Sequence, residues 1–255
     1  MASCVKKTPA AVNCTNVGFS DTTGNVLLTM NLDLPVAVKG PAKVICDSLV
    51  AQVVGQLESF GYYEDEPHRL PPYSGKAGNL GALVAHYGEA VNAYLDSLAT
   101  EDVRERLEVS DFAPKWEYQV GLTKVEETDK YVLFNSSNYI YMGGAHGGVT
   151  GEGDIIFRKS DGARIRNVID RSRVMEMQDL IQEGLQAYGE DMDYLFIEDG
   201  VFPLPVWEPS LTKEGVSFTY QQYEIAPYAF GMPSFTIPYE KAMEFLTPEA
   251  KALVD

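Results

Sequence analysis

At 255 residues with a 45% hydrophobic fraction, the chain can build one large domain or two small ones around a packed core. Its 37 acidic residues against 20 basic ones leave a net charge of −17. That charge repels phosphate backbones and anionic headgroups, and so speaks against nucleic acid as a partner. No run approaches the roughly 18–20 apolar residues of a membrane span, so the expected membrane contact is limited to a lipid anchor.

Such an anchor has a candidate. Ala2-Ser3-Cys4 matches the last three positions of a bacterial lipoprotein cleavage box, in which the cysteine becomes the lipidated first residue. Residues 1–20 then read as a polar tether. Cys14 and Cys46 form an even pair, whose spacing alone leaves open whether they bridge. Residues 25–36 (NVLLTMNLDLPV) alternate as a strand closed by Pro35. A helix follows from Pro41, with Ile45, Leu49, Val53, Leu57 and Phe60 on one side until Gly61 stops it. The Pro/Gly-rich stretch 61–79 has no period and reads as a loop. Leu80 to Leu98 is a second amphipathic helix, and the charged run 100–109 either extends it or begins another.

The character then changes. Residues 116–128 and 131–144 read as adjacent strands, and 151–170 as a hairpin turning at Ser160-Asp161-Gly162. Residues 175–189 form an amphipathic helix ending at Gly189, and the run VFPLPVWEPS is irregular because of its three prolines. GVSFTYQQYEI (215–225) and SFTIPYE (234–240) are further strands. A helix starts near Tyr239, and Thr247-Pro248-Glu249 marks the N-cap of a final short one. The expected fold class is α+β. A helix-rich α/β module occupies 21–112, and a mainly antiparallel β-sheet module with packed helices occupies 115–255.

For function, the sequence offers loops and aromatics rather than catalytic motifs. GGAHGG (143–148) has four glycines in six residues around His146, a composition that permits tight turns and close backbone approach. It lacks the Lys-Ser/Thr of a phosphate-binding loop. The histidines number three, His68, His86 and His146, with no GxSxG elbow, HExxH pair or Cys-x-x-Cys. No catalytic residue, metal or cofactor is therefore assigned. Tyr139 and Tyr141 share one face of the strand entering the glycine loop, and Tyr228 follows later. Tyrosines at strand ends suit protein or sugar recognition, being rigid and amphipathic.

Two runs, NYIYMGGAHGG (138–148) and YEIAPYAFG (223–231), occur together in order around an SDG hairpin and a helix. In this combination the chain resembles the C-terminal domain of unknown function shared by the anti-sigma factor RsiV and the peptidoglycan deacetylase PdaC. The resemblance covers about 115–250. It implies a non-enzymatic, exported binding domain of the cell envelope, tethered through lipidated Cys4. The implied ligand is a basic, lysozyme-like protein or a cell-wall glycan such as peptidoglycan, contacted through His146, Tyr139, Tyr141, Gly144 and Tyr228. The alternative is an envelope hydrolase acting on cell-wall polymer with His146 and the nearby carboxylates Glu152 and Asp154.

Overall fold

The computed structural model describes residues 9–59, 69–76, 78–109, 114–144, 147–189, 192–197 and 199–254. Strands β1 (Cys14–Asp21) and β2 (Val26–Pro35) form an antiparallel hairpin. Helices α1 (Pro41–Glu58) and α2 (Leu80–Val109) then carry the chain across to β3 (Trp116–Glu127), which runs parallel to β2 with Val26 opposite Trp116. A parallel neighbour needs such a crossover, because a tight turn can only reverse the chain. Antiparallel strands β4 (Tyr131–Tyr141), β5 (Val149–Arg158) and the short β6 (Arg164–Ile165) complete one six-stranded sheet in sequence order. This sheet takes strands from both sides of residues 112–115.

Beyond β6 come α3 (Gln178–Tyr188), β7 (Ser210–Leu211), β8 (Gly215–Thr219), β9 (Ser234–Pro238), α4 (Tyr239–Ala242) and α5 (Pro248–Val254). Strands β7, β8 and β9 form a second, antiparallel sheet. Two cores result, one on each face of the large sheet. Ile45, Leu49, Val53 and Leu57 of α1 and Val84, Val91 and Leu95 of α2 close the first against the face carrying Val132 and Phe134. Tyr131 and Leu133, pointing the other way, join the second with Ile181, Val216, Phe218 and Ile237. Consecutive buried residues in the YVLF run thus report a strand sandwiched on both sides. None of the described helices is long and apolar enough to cross a membrane.

Three elements depart from the expectations. Residues 14–20 are not tether but most of β1. Phe19 and Val17 pack against the first core, and Phe19 lies so close over Gly88 of α2 that a Cβ there would enter its ring. The polar alternate residues of CTNVGFSD hid a strand whose apolar positions are few. The charged run 100–109 continues α2 as one helix of 30 residues. The strand expected over 215–225 stops at Thr219, and residues 221–225 turn back, with Tyr223 at φ 65°. Hydrogen bonds from this turn, described below, hold it away from the strand geometry that its apolar and aromatic residues favour locally.

Candidate functional site

The large sheet has an incomplete edge. Strand β6 pairs with β5 only at Ile156 and Phe157, so the first half of β5, paired with β4 on one side, has no strand on the other among the described residues. Its edge is instead capped by two side chains from the turn after β8. Gln222 Oε1 accepts from the Thr150 N–H at 2.8 Å. Gln221 Oε1 accepts from the Glu152 N–H at 2.7 Å, and its Nε2 donates to the Glu152 carbonyl at 2.7 Å. A carboxamide has the same donor and acceptor as a peptide unit, so Gln221 acts as one residue of a missing strand.

The glycine loop lies at the end of the same β4–β5 pair. The Tyr228 hydroxyl donates to the Gly148 carbonyl at 2.9 Å, and the Tyr139 ring covers Gly148 so closely that a Cβ would overlap it. The Tyr141 hydroxyl approaches the Gly144 carbonyl at 3.4 Å. Arg106 of α2 donates to the Met142 carbonyl at 2.9 Å, and its guanidinium occupies the space a side chain on Gly143 (φ 81°) would need. Tyr139 and Tyr228 are therefore brought together around Gly147–Gly148, with Tyr141 and Gly144 on the other limb of the turn. Tyr228 also lies beside Tyr223, ring centroids 5.7 Å apart, and Tyr223 is 52% exposed. His146, Cys4 and His68 lie outside the described residues. His86 is packed between Tyr73 and Tyr87, with Nε2 2.8 Å from the Pro71 carbonyl.

Two ladder steps along the same face, a cavity of about 220 Å3 opens between the two sheets. Alternation along β5 places Glu152 and Asp154 on one face with Asn135 of β4 across from Asp154. Asn135 Nδ2 donates to Glu152 Oε1 and to Asp154 Oδ1, both at 3.0 Å, and Ser210 Oγ donates to Asp154 Oδ2 at 2.6 Å. Ser217 and Thr219 of β8 complete the polar wall. A second cavity of about 330 Å3 adjoins it, lined by Gln52, Arg164, Arg166, Asn167 and Arg171. Asp154, Trp207 and Glu208 line both.

Trp207 comes from the proline-rich run that reads as irregular, and irregular it is. Its position is nonetheless fixed from three directions. Its indole lies against the α-carbon of Gly153, where any Cβ would fall inside the ring. On one flank the Val206 N–H donates to Glu224 Oε1 at 2.6 Å, and Glu224 Oε2 accepts from the Gln221 N–H at 2.7 Å. Burial raises the Glu224 pKa, and these two backbone hydrogen bonds oppose the rise. On the other flank Glu208 Oε1 accepts from the Val168 N–H at 2.7 Å, and Glu208 Oε2 pairs with Arg171 at 2.8 Å. The Gln221–Glu224 turn thus holds both the strand edge and the tryptophan. Sequence reasoning singled out Glu152 and Asp154 but missed Trp207, Gln221 and Glu224. The signal for Trp207 was its place among prolines, which stiffen a loop without giving it a period.

Among the described residues no group of three or more His, Cys, Asp or Glu side chains is placed to hold a metal ion. A sequence-family profile described as a protein of unknown function (DUF3298) matches residues 172–240, the stretch that includes Trp207, Gln221, Glu224 and Tyr228. The fold is shared with solved structures. A DUF3298-family protein from Bacteroides fragilis superposes with a TM-score of 0.69 at 18% identity, over 98% of this chain and 99% of that one. One from Pseudomonas aeruginosa gives a TM-score of 0.60 at 16% identity, over 96% of this chain and 98% of that one. No curated protein matches the chain.

Proposed function

We propose that the chain is a cell-envelope binding module of the RsiV/PdaC-like kind, exported and tethered through Cys4, whose ligand is a cell-wall saccharide bound at the cavities around Trp207. One observation carries the reading. Trp207 is held by Gly153, Glu224 and Glu208 as a fixed wall of two polar cavities. An aromatic plane bordered by carboxylates, amides and hydroxyls suits a sugar ring, which presents C–H groups on its face and hydroxyls at its rim. A wall fixed beforehand avoids the ordering cost that a mobile side chain meets on binding. The match of residues 172–240 to DUF3298 and the resemblance around the glycine loop support the envelope assignment.

Calorimetric titration with di-N-acetylchitobiose and soluble peptidoglycan fragments tests it. Binding by the wild type, abolished in a Trp207→Ala protein that still unfolds cooperatively, is the expected result. No heat with any fragment at millimolar sugar sinks the saccharide reading. The same mixtures test the hydrolase alternative, since release of new reducing ends that Asp154→Asn abolishes would reassign Glu152 and Asp154 to catalysis.

A second reading is favoured by the exposed Tyr223, held at positive φ beside Tyr228. On this reading the glycine-loop end, with Tyr139, Tyr141, Gly144, His146 and Tyr228, docks a cationic, lysozyme-like protein steered by the −17 charge. Titration with hen lysozyme at moderate salt decides it: binding weakened by Tyr223→Ala supports a protein ligand, and silence at millimolar protein discards it.

A further inference from the structure

The cavity behind Trp207 has an unusual charge for so acidic a chain. Its lining carries Arg164, Arg166 and Arg171 against Asp154 and Glu208. Both acids are already engaged, Glu208 by Arg171 and Asp154 by Asn135 and Ser210. Arg164 and Arg166 make no ion pair among the described residues. The Arg164 guanidinium donates instead to a neutral partner, Gln52 Oε1 of α1, at 2.9 Å. Ile165 between them is buried in the second core, so Arg164 leaves the short edge strand on the opposite side, and Arg166, just past the strand, lines the same cavity. Burial, and then the neighbouring Arg166, lower the Arg164 pKa. Two like charges on one cavity wall, one half-buried and the other exposed, repel each other, and an anion between them relieves that repulsion. The two carboxylates in the same lining, Asp154 and Glu208, are turned to other partners and pair with neither arginine.

We infer that Arg164 and Arg166 form an oxyanion subsite, which receives the carboxylate or phosphate group of a saccharide whose ring lies against Trp207. The inference rests on the saccharide reading above and narrows it to acidic sugars. Planar guanidinium forks suit either oxyanion, because each offers parallel N–H donors to two oxygens. Gln52 holds one fork in place, and Asn167 adds an amide to the same cavity wall.

Three probes separate the possibilities. Di-N-acetylchitobiose is neutral. The N-acetylglucosamine–N-acetylmuramic acid disaccharide carries one lactyl carboxylate, and N-acetylglucosamine 6-phosphate carries a phosphate. Affinities of the wild type, Arg166→Gln and Arg164→Gln are measured by calorimetry, with amide NMR shifts around Trp207 as the site readout. An acidic probe should bind at least about tenfold tighter than the neutral one, the effect of a single charge-assisted hydrogen bond. Either arginine variant should erase that preference by weakening the acidic probes more than the neutral one. Preference for the muramic acid disaccharide assigns the carboxylate, and preference for the sugar phosphate assigns the phosphate. Equal binding of all three, or a preference that survives in both variants, overturns the oxyanion subsite and leaves the saccharide site standing. Silence of all three probes, with no NMR shift near Trp207, overturns both. Folding of the variants gives an independent check, because relieving the Arg164–Arg166 repulsion should leave the urea midpoint equal to or above that of the wild type.

Discussion

Replacing Gln221 by alanine removes the surrogate residue that caps β5. Two hydrogen bonds of 2.7 Å to the Glu152 peptide group are lost, one donated and one accepted. Each is worth about 0.5–1.5 kcal/mol net, so the direct loss is about 1–3 kcal/mol. Glu152 is half-buried on this edge, which leaves water partial access to the freed N–H and C=O and keeps the cost near the middle of that range. Gln222→Ala loses only the bond from Thr150 N–H and should cost about 1 kcal/mol. Gln221→Glu keeps an acceptor for the Glu152 N–H but turns a second oxygen toward the Glu152 carbonyl, so it should fall below the alanine variant. Urea unfolding followed by far-UV circular dichroism, with equal slopes, reads these differences directly. The ordering expected is wild type, then Gln222→Ala, then Gln221→Ala, then Gln221→Glu. A Gln221→Ala protein as stable as the wild type would refute the capping argument.

Three further outcomes follow from the packing and charges. Glu127 accepts from Lys159, only 6% exposed, from Lys124 and from the Val12 N–H. Glu127→Gln should therefore cost about 3 kcal/mol in a denaturant titration at neutral pH, since it strands a buried ammonium; a loss under half of that would mean the Thr128 carbonyl suffices for Lys159. Burial acts to raise the Glu127 pKa, but the Lys124, Lys159 and Val12 hydrogen bonds outweigh it and hold it below its usual value of 4.5. The stability it confers is present above about pH 4.5 and lost as pH falls through the depressed value, so Glu127→Gln should flatten the acid limb of a stability–pH profile. Gly153→Ala should displace the indole, costing about 1–3 kcal/mol; unchanged near-UV circular dichroism and urea midpoint would contradict the close approach. Burial pushes the free thiols Cys14 and Cys46 up to about 11 each from 9.0. Both should react with an aromatic disulfide reagent far more slowly in the folded than in the urea-unfolded protein. Their stabilising effect should persist below about pH 9 and decline as pH rises toward 11. Rapid labelling of the native protein at neutral pH would contradict both.

Much of the secondary structure was legible because its periods are strong. Ile45, Leu49, Val53 and Leu57 announce α1, and the Ser160-Asp161-Gly162 turn announces the β5–β6 reversal, with Gly162 at φ 79°. Strand β1 was not legible, because only Cys14, Val17 and Phe19 of its eight residues pack against the core. Nor was the pairing of β2 with β3, which brings together segments separated by two helices and leaves no local trace. The site was legible only in halves. The Tyr139–Gly148 run and the Tyr223–Gly231 run were visible as a recurring pair, while the contact between them, Tyr228 to Gly148, is a tertiary fact. Glutamines that imitate a strand and a tryptophan fixed by hydrogen bonds on either side have no period to find.

The parallel pairing of β2 with β3 also dictates an order of events for a chain that emerges from its N-terminus. Val26–Leu32 meets its partner only after residues 116–122 have appeared, some ninety positions later. Until then the β1–β2 hairpin and its two helices present an apolar strand with open N–H and C=O groups along one side, a template for pairing with another chain. Sequence-distant pairing of this kind slows folding, because a long loop must close before its contacts are gained. A fragment ending before Trp116 should therefore aggregate, and the full chain should depend on slow emergence or a holding chaperone to keep that edge unoccupied until β3 arrives.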